Sequence, residues 1–136
     1  MDKDLKKSLE VKKVLKASDL IKKKNLIAKK LNGTVEVEVK DLGVFKFKTL
    51  TIDEINDGVE FGSKNEGYGD EYMILNACIE PNLRDEELKK EFNVEFNHEI
   101  VRKILSPGEI NRIIEILMEK AGFEEDVAKL VEEVKN

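Results

Sequence analysis

Residues 73–123 have the sequence MILNACIEPNLRDEELKKEFNVEFNHEIVRKILSPGEINRIIEILMEKAGF, and the helix-boundary signals within it decide the fold. Proline lacks an N–H and holds the preceding residue in extended backbone, so the apolar run from Met73 should stop being helical at Glu80-Pro81. Asp85 is a good N-cap for a short helix. Ser106-Pro107-Gly108-Glu109 combines an N-cap, a first-turn proline and a capping-box glutamate, and its helix should close at Ala121-Gly122. These signals predict short helices joined by short connections.

The period of the apolar residues changes to two in residues 34–49, which predicts a pair of half-buried strands. The alternating apolar positions are Val35, Val37, Val39, Phe45 and Phe47. The connection Asp41-Leu42-Gly43 allows a tight hairpin with Gly43 at positive φ. Glutamates on one strand should face lysines on the other, which favours the pairing modestly.

Helical patterns flank this hairpin on both sides. The predicted helices are 3–16, 19–31, 52–59, 71–80, 85–92, 98–105, 107–121 and 124–135. Thr51 and Glu54 form a capping box for the third, and Asp70 caps the fourth. Whether residues 1–17 pack or fray is open, so the predicted fold class is α+β: a mainly α-helical single domain of about six or seven short helices with one antiparallel β-hairpin.

Glycines are concentrated in and around residues 60–69, which we expect to form a loop. A phosphate-binding loop needs glycines that lead directly into a helix, usually with a Lys-Ser or Lys-Thr pair. Lys64 has no such partner and is followed closely by Glu66. A mobile or partner-ordered loop is therefore the favoured interpretation.

The composition bounds the class of protein. A chain of 136 residues with 40% hydrophobic and 39% charged residues fits one domain with a modest core. Six Phe, two Tyr and no Trp argue against a stacking platform for single-stranded nucleic acid. No apolar run approaches the ~18 residues of a membrane span, and the residues after Met1 lack the apolar region of a secretory signal. These features favour a cytosolic protein without a membrane contact.

Charge is distributed unevenly along the chain. Residues 1–31 hold eleven Lys against four acidic residues, a balance of +7, and the remainder has a balance of −12. Such asymmetry indicates either a basic arm for nucleic acid or for an acidic partner, or a lysine-rich helix that lies on the acidic body of its own fold or of a second copy. The lysines alternate with aliphatic residues, and no arginine precedes Arg84, which favours the second interpretation.

The sequence predicts no catalytic, cofactor-binding or metal-binding residue, and so no enzyme. Cys78 lies within an apolar helix, where an inert buried thiol is the ordinary interpretation. His98 lies beside Glu99 at a helix start, which is typical of a surface residue. A metal site lacks histidines and cysteines, and the acidic runs 124–126 and 132–133 are typical of solvated helix faces.

The order of these helix-boundary motifs resembles that of the XkdN-like tail assembly chaperones of tailed phages and prophages. The resemblance covers roughly residues 34–123 and is most specific at Ile79-Glu80-Pro81-Asn82-Leu83 and Leu105-Ser106-Pro107-Gly108-Glu109-Ile110. The chain departs from the resemblance at both ends, and we therefore expect three segments: a lysine-rich helical N-terminal segment (1–33), a tail-chaperone-like core domain (34–123) and a C-terminal amphipathic helix (124–136).

The resemblance also implies a function and partners. Such a protein would bind the long, helical tape measure protein and keep it soluble in the host bacterial cytoplasm while the tail tube polymerises, and it would be absent from the mature virion. Tail tube subunits and further copies of the chain are additional expected partners, and no cofactor is expected.

The last predicted helix carries the one hypothesis about binding residues. Val127, Leu130, Val131 and Val134 would lie on a single face, a narrow apolar seam on a polar helix, which is typical of a packed or partner-seeking segment. We expect this face to bind the client or a further copy.

Two other functions remain open from the sequence. A small nucleic-acid-associated regulator would use the basic N-terminus, and its binding would weaken steeply with salt because each neutralised phosphate releases counterions. A structural component of the tail would instead persist in purified particles. If the chain is a tail chaperone, we expect it to bind an amphipathic helical protein and to keep that binding at high salt.

Overall fold

The computed structural model describes residues 14–131, and these group into two units. The larger unit is Leu31–Phe123, and the described residues of the second unit are 14–30 and 124–131. Within residues 14–131 no helix is long and apolar enough to cross a membrane. The division into three segments expected from the sequence stays a prediction.

The described part of the N-terminal segment forms two short helices, α1 (Ala17–Lys22) and α2 (Lys24–Leu31). The prediction of one continuous helix over 19–31 is therefore wrong, since the chain leaves helical geometry at Lys23. Neither helix buries a residue. Short helices that bury no residue are marginal. Residues 1–13, and with them most of the helix predicted over 3–16, lie outside the described residues.

The larger unit combines helices with a small sheet. Its elements are β1 (Thr34–Val39), β2 (Gly43–Lys48), α3 (Ile52–Lys64), α4 (Gly69–Ala77), β3 (Cys78–Glu80), α5 (Glu86–Glu91), α6 (Asn97–Ile104) and α7 (Pro107–Lys120). This architecture confirms the α+β class.

The predicted hairpin is confirmed, and a third strand extends it. β1 pairs with β2 antiparallel, which places Val37 opposite Phe45 and Glu36 opposite Lys46. Gly43 has φ 138°, as the turn requires. β3 adds to the other edge of β2, in the order β1-β2-β3. The prediction of a helix through residue 80 is wrong at this point, because the residue before a proline is held in extended backbone.

Three of the boundary motifs act as the sequence predicts, but the cap predicted at Asp70 is wrong, because α4 begins at Gly69 and Asp70 lies within its first turn. The Thr51 hydroxyl accepts from the Glu54 N–H, and the Ser106 hydroxyl accepts from the Glu109 N–H in the second capping box. The Asp85 carboxylate accepts from the Glu87 N–H at 2.8 Å. After α7, the Phe123 N–H donates to the Met118 carbonyl around a left-handed Gly122 with φ 97°, the geometry of a Schellman motif.

Close packing of α3 on α4 replaces most of the predicted glycine-rich loop. α3 continues to Lys64, and α4 begins at Gly69, so the loop over 60–69 was predicted too long. A Cβ added at Gly58 would lie 2.3 Å from Met73 Cγ, and one at Gly69 would lie 2.8 Å from the Gly58 carbonyl oxygen. Because these glycines let the two backbones approach, packing overrides their low helix propensity.

The core lies between the sheet and the helices that follow it. The largest fully buried side chains are Phe47, Ile74, Ile100, Ile113, Leu117 and Val101. They come from β2, α4, α6 and α7, so the apolar stripes of these three helices converge on the inner face of the sheet.

The described part of the C-terminal segment contradicts the α-helix predicted from Glu124. A single 3₁₀ turn, Glu125–Val127, is followed by residues without helical structure up to Val131. Valine loses side-chain freedom in a helix, and a short helix with no buried contact is marginal, which explains why the apolar period alone was misleading here. Residues 132–136 lie outside the described residues.

Candidate functional site

An open cleft of about 470 Å³ lies where the end of α3 and the start of α4 meet the start of α6. We call it the aromatic cleft. Its lining residues are Phe61, Lys64, Asn65, Glu66, Tyr68, Phe96, His98 and Glu99. The sequence predicted no site at this place.

His98 lies among three aromatic rings of the cleft. Its ring centroid is 4.9 Å from that of Phe61 and 4.9 Å from that of Tyr68, both edge to face. Phe96 stacks nearly parallel to it at 5.8 Å. Behind these rings, Phe61 stacks on Tyr72 at 4.0 Å. Such offset and edge contacts stabilise an aromatic cluster beyond simple burial, so the cluster has a defined shape.

Local helix signals place each of these rings. The capping box at Thr51 starts α3, which carries Phe61 near its C-terminus. Tyr68 is the residue before α4, reached through the left-handed turn at Gly67, φ 79°. The Phe96 N–H donates to the Glu99 Oε1 at 2.8 Å, which fixes the start of α6 and so both Phe96 and His98.

Arg102 anchors the cleft from α6. Its guanidinium lies 3.6 Å from the centroid of the Tyr68 ring and pairs with the buried carboxylate of Glu71. It also donates to the Gly67 carbonyl at 3.3 Å. The hydrogen bond to Glu71 raises the pKa of the Arg102 guanidinium, and burial followed by the charge of Glu71 raises the pKa of Asp70. These contacts hold the turn before α4 against α6.

The rim of the cleft is mainly acidic. Glu66 and Glu99 line it, and Asp57 and Glu60 line an adjoining cleft that shares Phe61 and Lys64. The one lysine of the rim, Lys64, donates to Glu60 at 2.8 Å, and this hydrogen bond lowers the pKa of Glu60. An aromatic floor inside a negative rim favours a cationic or mixed cationic and apolar partner.

Cys78 and His98 have separate surroundings. The Cys78 thiol donates to the Pro81 carbonyl at 3.3 Å, and burial raises its pKa to about 11. The His98 ring contacts the rings of Phe61, Tyr68 and Phe96, so His98 is not the plain surface residue that the sequence indicated. In residues 14–131, no three His, Cys, Asp or Glu side chains lie together as a metal site requires.

The hypothetical partner-binding valines and leucine are exposed where the structure describes them. Val127 is 61% exposed, Leu130 80% and Val131 59%, and Val134 lies outside the described residues. They do not share one face of an α-helix, because no α-helix forms there. Their role in binding stays a prediction.

Comparison with solved structures supports the fold. The crystal structure of the protein YqbN, a structural genomics target, aligns with a TM-score of 0.53 at 22% sequence identity. The alignment covers 68% of this chain and 87% of that one. At this identity the likeness concerns the fold alone. No curated protein matches the sequence.

The family comparison covers nearly the whole chain. The model of the phage XkdN-like tail assembly chaperone protein matches residues 5–135, beyond the 34–123 over which the helix-boundary motifs carry the resemblance. Both terminal segments therefore fall within the family pattern. The chain belongs to the XkdN-like family of phage tail assembly chaperones.

Proposed function

We propose that this protein is a non-enzymatic chaperone that binds the tape measure protein and keeps it soluble in the host cytoplasm while the tail assembles. Family membership supports the general role in tail assembly. The tape measure protein is a long helical chain, and a holding chaperone for it needs exposed apolar side chains of moderate affinity on a soluble body.

The observation that carries the proposal is a set of exposed apolar side chains near both ends of the chain. These terminal apolar residues are Val14, Leu15, Leu20, Ile21, Leu26, Leu31, Phe123, Val127, Leu130 and Val131, each about half exposed or more. Single exposed apolar residues are ordinary, but two segments in which none of the apolar side chains among the described residues 14–31 and 124–131 is buried are typical of a surface completed by a partner. Burial of each such side chain on a client contributes roughly 1.5–3 kcal/mol before ordering costs.

The charge of the larger unit fits the same role. Residues 31–123 hold eleven basic and twenty acidic residues, a balance of −9. A net charge well away from zero keeps a protein soluble while it presents apolar side chains. No step of the proposed activity requires a covalent or redox reaction.

Binding between the purified chain and a helical segment of the tape measure protein tests the proposal. We expect the complex to survive ~1 M salt, where screening removes most of the attraction between exposed charges. Leu26→Ser and Leu130→Ser should each weaken it about tenfold, since each loses roughly 1.4 kcal/mol of apolar burial.

Leu42→Ser is the matched control, because Leu42 is 58% exposed but lies in the hairpin turn. It should bind like the unmodified chain. Absence of binding by the folded, unmodified chain would contradict the proposal. Equal binding by all three variants would show that the terminal apolar residues do not contact the client. Salt-sensitive binding to nucleic acid instead would support the regulator.

A further inference from the structure

The position of the aromatic residues singles out the aromatic cleft as a binding surface. The chain has only eight aromatic residues, and only Phe45 and Phe47 belong to the buried core. Half of the eight gather around a single histidine at the cleft: Phe61, Tyr68, Tyr72 and Phe96. Phe96 is 54% exposed. Aromatic side chains placed at an open cleft, and not in the core, are typical of the central residues of a protein interface.

A row of carboxylates runs along α3 to the cleft. Asp53, Asp57 and Glu60 are spaced by four and then three residues, so they share one side of the helix, and all three are exposed. Asp57 and Glu60 line the adjoining cleft of about 380 Å³, which shares Phe61 with the aromatic cleft. The two clefts thus form one trough in which carboxylates lie beside aromatic rings.

The protein's own cations leave part of this trough uncompensated. Lys64, the lysine that lines both clefts, pairs with Glu60. Among residues 14–131, no lysine or arginine pairs with Asp57 or Glu66. A partner that supplies cations therefore meets carboxylates that give up only water to receive it, and no existing ion pair has to break.

The spacing of the carboxylates specifies the shape of this partner. A helix rises about 1.5 Å per residue, so the row from Asp53 to Glu60 spans about 10 Å along α3. A second helix laid beside α3 presents cations over the same length when they stand at positions i, i+4 and i+7 of one face. Its neighbouring aliphatic side chains cover the exposed Phe96 ring, and its cations also lie favourably over aromatic faces. The fitting partner is a cationic amphipathic helix.

We propose that the aromatic cleft binds a lysine- or arginine-bearing amphipathic helical segment of the tape measure protein. The cations of that segment pair with Asp57 and Glu66, and its aliphatic face covers Phe96. The cleft thereby selects which part of a long helical client is held, whereas the terminal apolar residues contact apolar surface of the client. This inference rests on the proposed function, since it names the chemistry of the client segment.

Nuclear magnetic resonance of the ¹⁵N-labelled full-length chain with overlapping synthetic peptides of the tape measure protein tests the contact. We expect the peptides that carry lysine or arginine beside an aliphatic helical face to shift the amide resonances of residues 57–66 and 96–99. Replacement of those cations with glutamate in the tightest-binding peptide should weaken binding at least about tenfold. Binding that does not depend on the charge of the peptide, or shifts only outside these residues, would overturn the proposal.

Variants of the chain locate the contact on its surface. Phe96→Ala should weaken binding of the cationic peptide at least about tenfold. Glu66→Lys should weaken it at low salt and have little effect at ~1 M salt, where charges are screened. Phe92→Ala and Glu91→Lys are matched controls from the end of α5, because Phe92 is also partly exposed and neither residue lines the cleft.

Equal weakening by Glu66→Lys and Glu91→Lys would overturn the proposal, since it would show that net charge and not the cleft attracts the peptide. Resonances of the cleft that shift when the chain alone is concentrated, and that no peptide shifts further, would assign the cleft to a second copy and overturn it as well.

Binding of the whole tape measure protein separates this inference from the proposed function. Equal binding by the unmodified chain, Phe96→Ala and Glu66→Lys at low salt, with all three folded by circular dichroism, would overturn the role of the cleft and leave the chaperone proposal intact. Absence of binding by the unmodified chain would contradict both.

Discussion

Glu71 and Arg102 form an ion pair in which the carboxylate is buried and the guanidinium is partly exposed. The side chain of Glu71 is 5% exposed, and that of Arg102 is 43% exposed. The pair joins α4 to α6, and Arg102 also contacts the Tyr68 ring and the Gly67 carbonyl. Arg102 is thus the residue that compensates the one buried charged side chain among residues 14–131.

Arg102→Ala should destabilise the protein by about 2 kcal/mol, because it leaves the buried Glu71 carboxylate without its partner. Urea denaturation at neutral pH measures the loss. Adding Glu71→Gln should restore part of it, since a neutral amide is less costly to bury. Arg112→Ala is the control: its pair with Glu115 is exposed and should contribute under about 0.5 kcal/mol. Equal losses for Arg102→Ala and Arg112→Ala would contradict the interpretation.

Gly58→Ala should destabilise the protein by about 1–3 kcal/mol although alanine is the better helix former, because the new Cβ would overlap the buried Met73 side chain. Thermal unfolding of the variant measures the effect. Gly108→Ala, in the first turn of α7, has nothing within 4 Å and should be neutral or stabilising by about 0.5 kcal/mol. Stabilisation by both substitutions would show that α3 and α4 do not pack as closely as described.

The stability that Glu54 contributes should depend on pH. Burial raises its pKa, but hydrogen bonds from Lys48 and Thr51 outweigh burial, so the folded-state pKa lies below the ordinary 4.5. A lowered pKa means that the contribution is present above about pH 4.5 and is lost as pH falls through the folded-state value.

Glu54→Gln should therefore cost about 1 kcal/mol at pH 7 and progressively less as pH falls below 4.5. Urea denaturation of both proteins across this range checks it. If the loss in free energy of unfolding caused by Glu54→Gln stays constant with pH, the effect of Glu54 comes from packing and not from its charge.

Cys78 should react slowly in the folded protein. Its pKa is raised from 9.0 to about 11, so at mildly alkaline pH its thiolate is about 100-fold scarcer than that of an ordinary cysteine. Alkylation by iodoacetamide, followed by mass spectrometry in native buffer and in urea, measures the difference. Equal rates in both conditions would contradict the burial of this thiol.

Local signals in the sequence predicted most of the larger unit. The caps at Thr51, Asp85 and Ser106 depend on residues within three positions of one another, so they act wherever they occur. The alternation of apolar and polar residues over 34–49 predicted the strands correctly because it depends only on one face of the hairpin being buried. The end of α3 was predicted wrongly because the glycines that usually break a helix here permit its close contact with α4, which no local rule contains.

The aromatic cleft could not be predicted for the same reason. Phe61 and His98 are far apart along the chain, and only the packing of α6 beside α3 and α4 brings them together. One signal was available: in a chain poor in aromatics, five of the eight lie in the two short stretches 61–72 and 92–96. The C-terminal segment shows the opposite error. The spacing of its apolar residues predicted a helix, but the described residues 124–131 bury no side chain that would stabilise one.

Co-expression of this chain with the tape measure protein of the same phage or prophage is the most direct test of the proposed function. We predict that the tape measure protein, insoluble alone, becomes soluble and co-purifies with this chain at high salt, while finished particles lack this chain. A tape measure protein that stays insoluble beside the folded chain, with the chain present in purified particles, would contradict the chaperone proposal and identify a structural tail component.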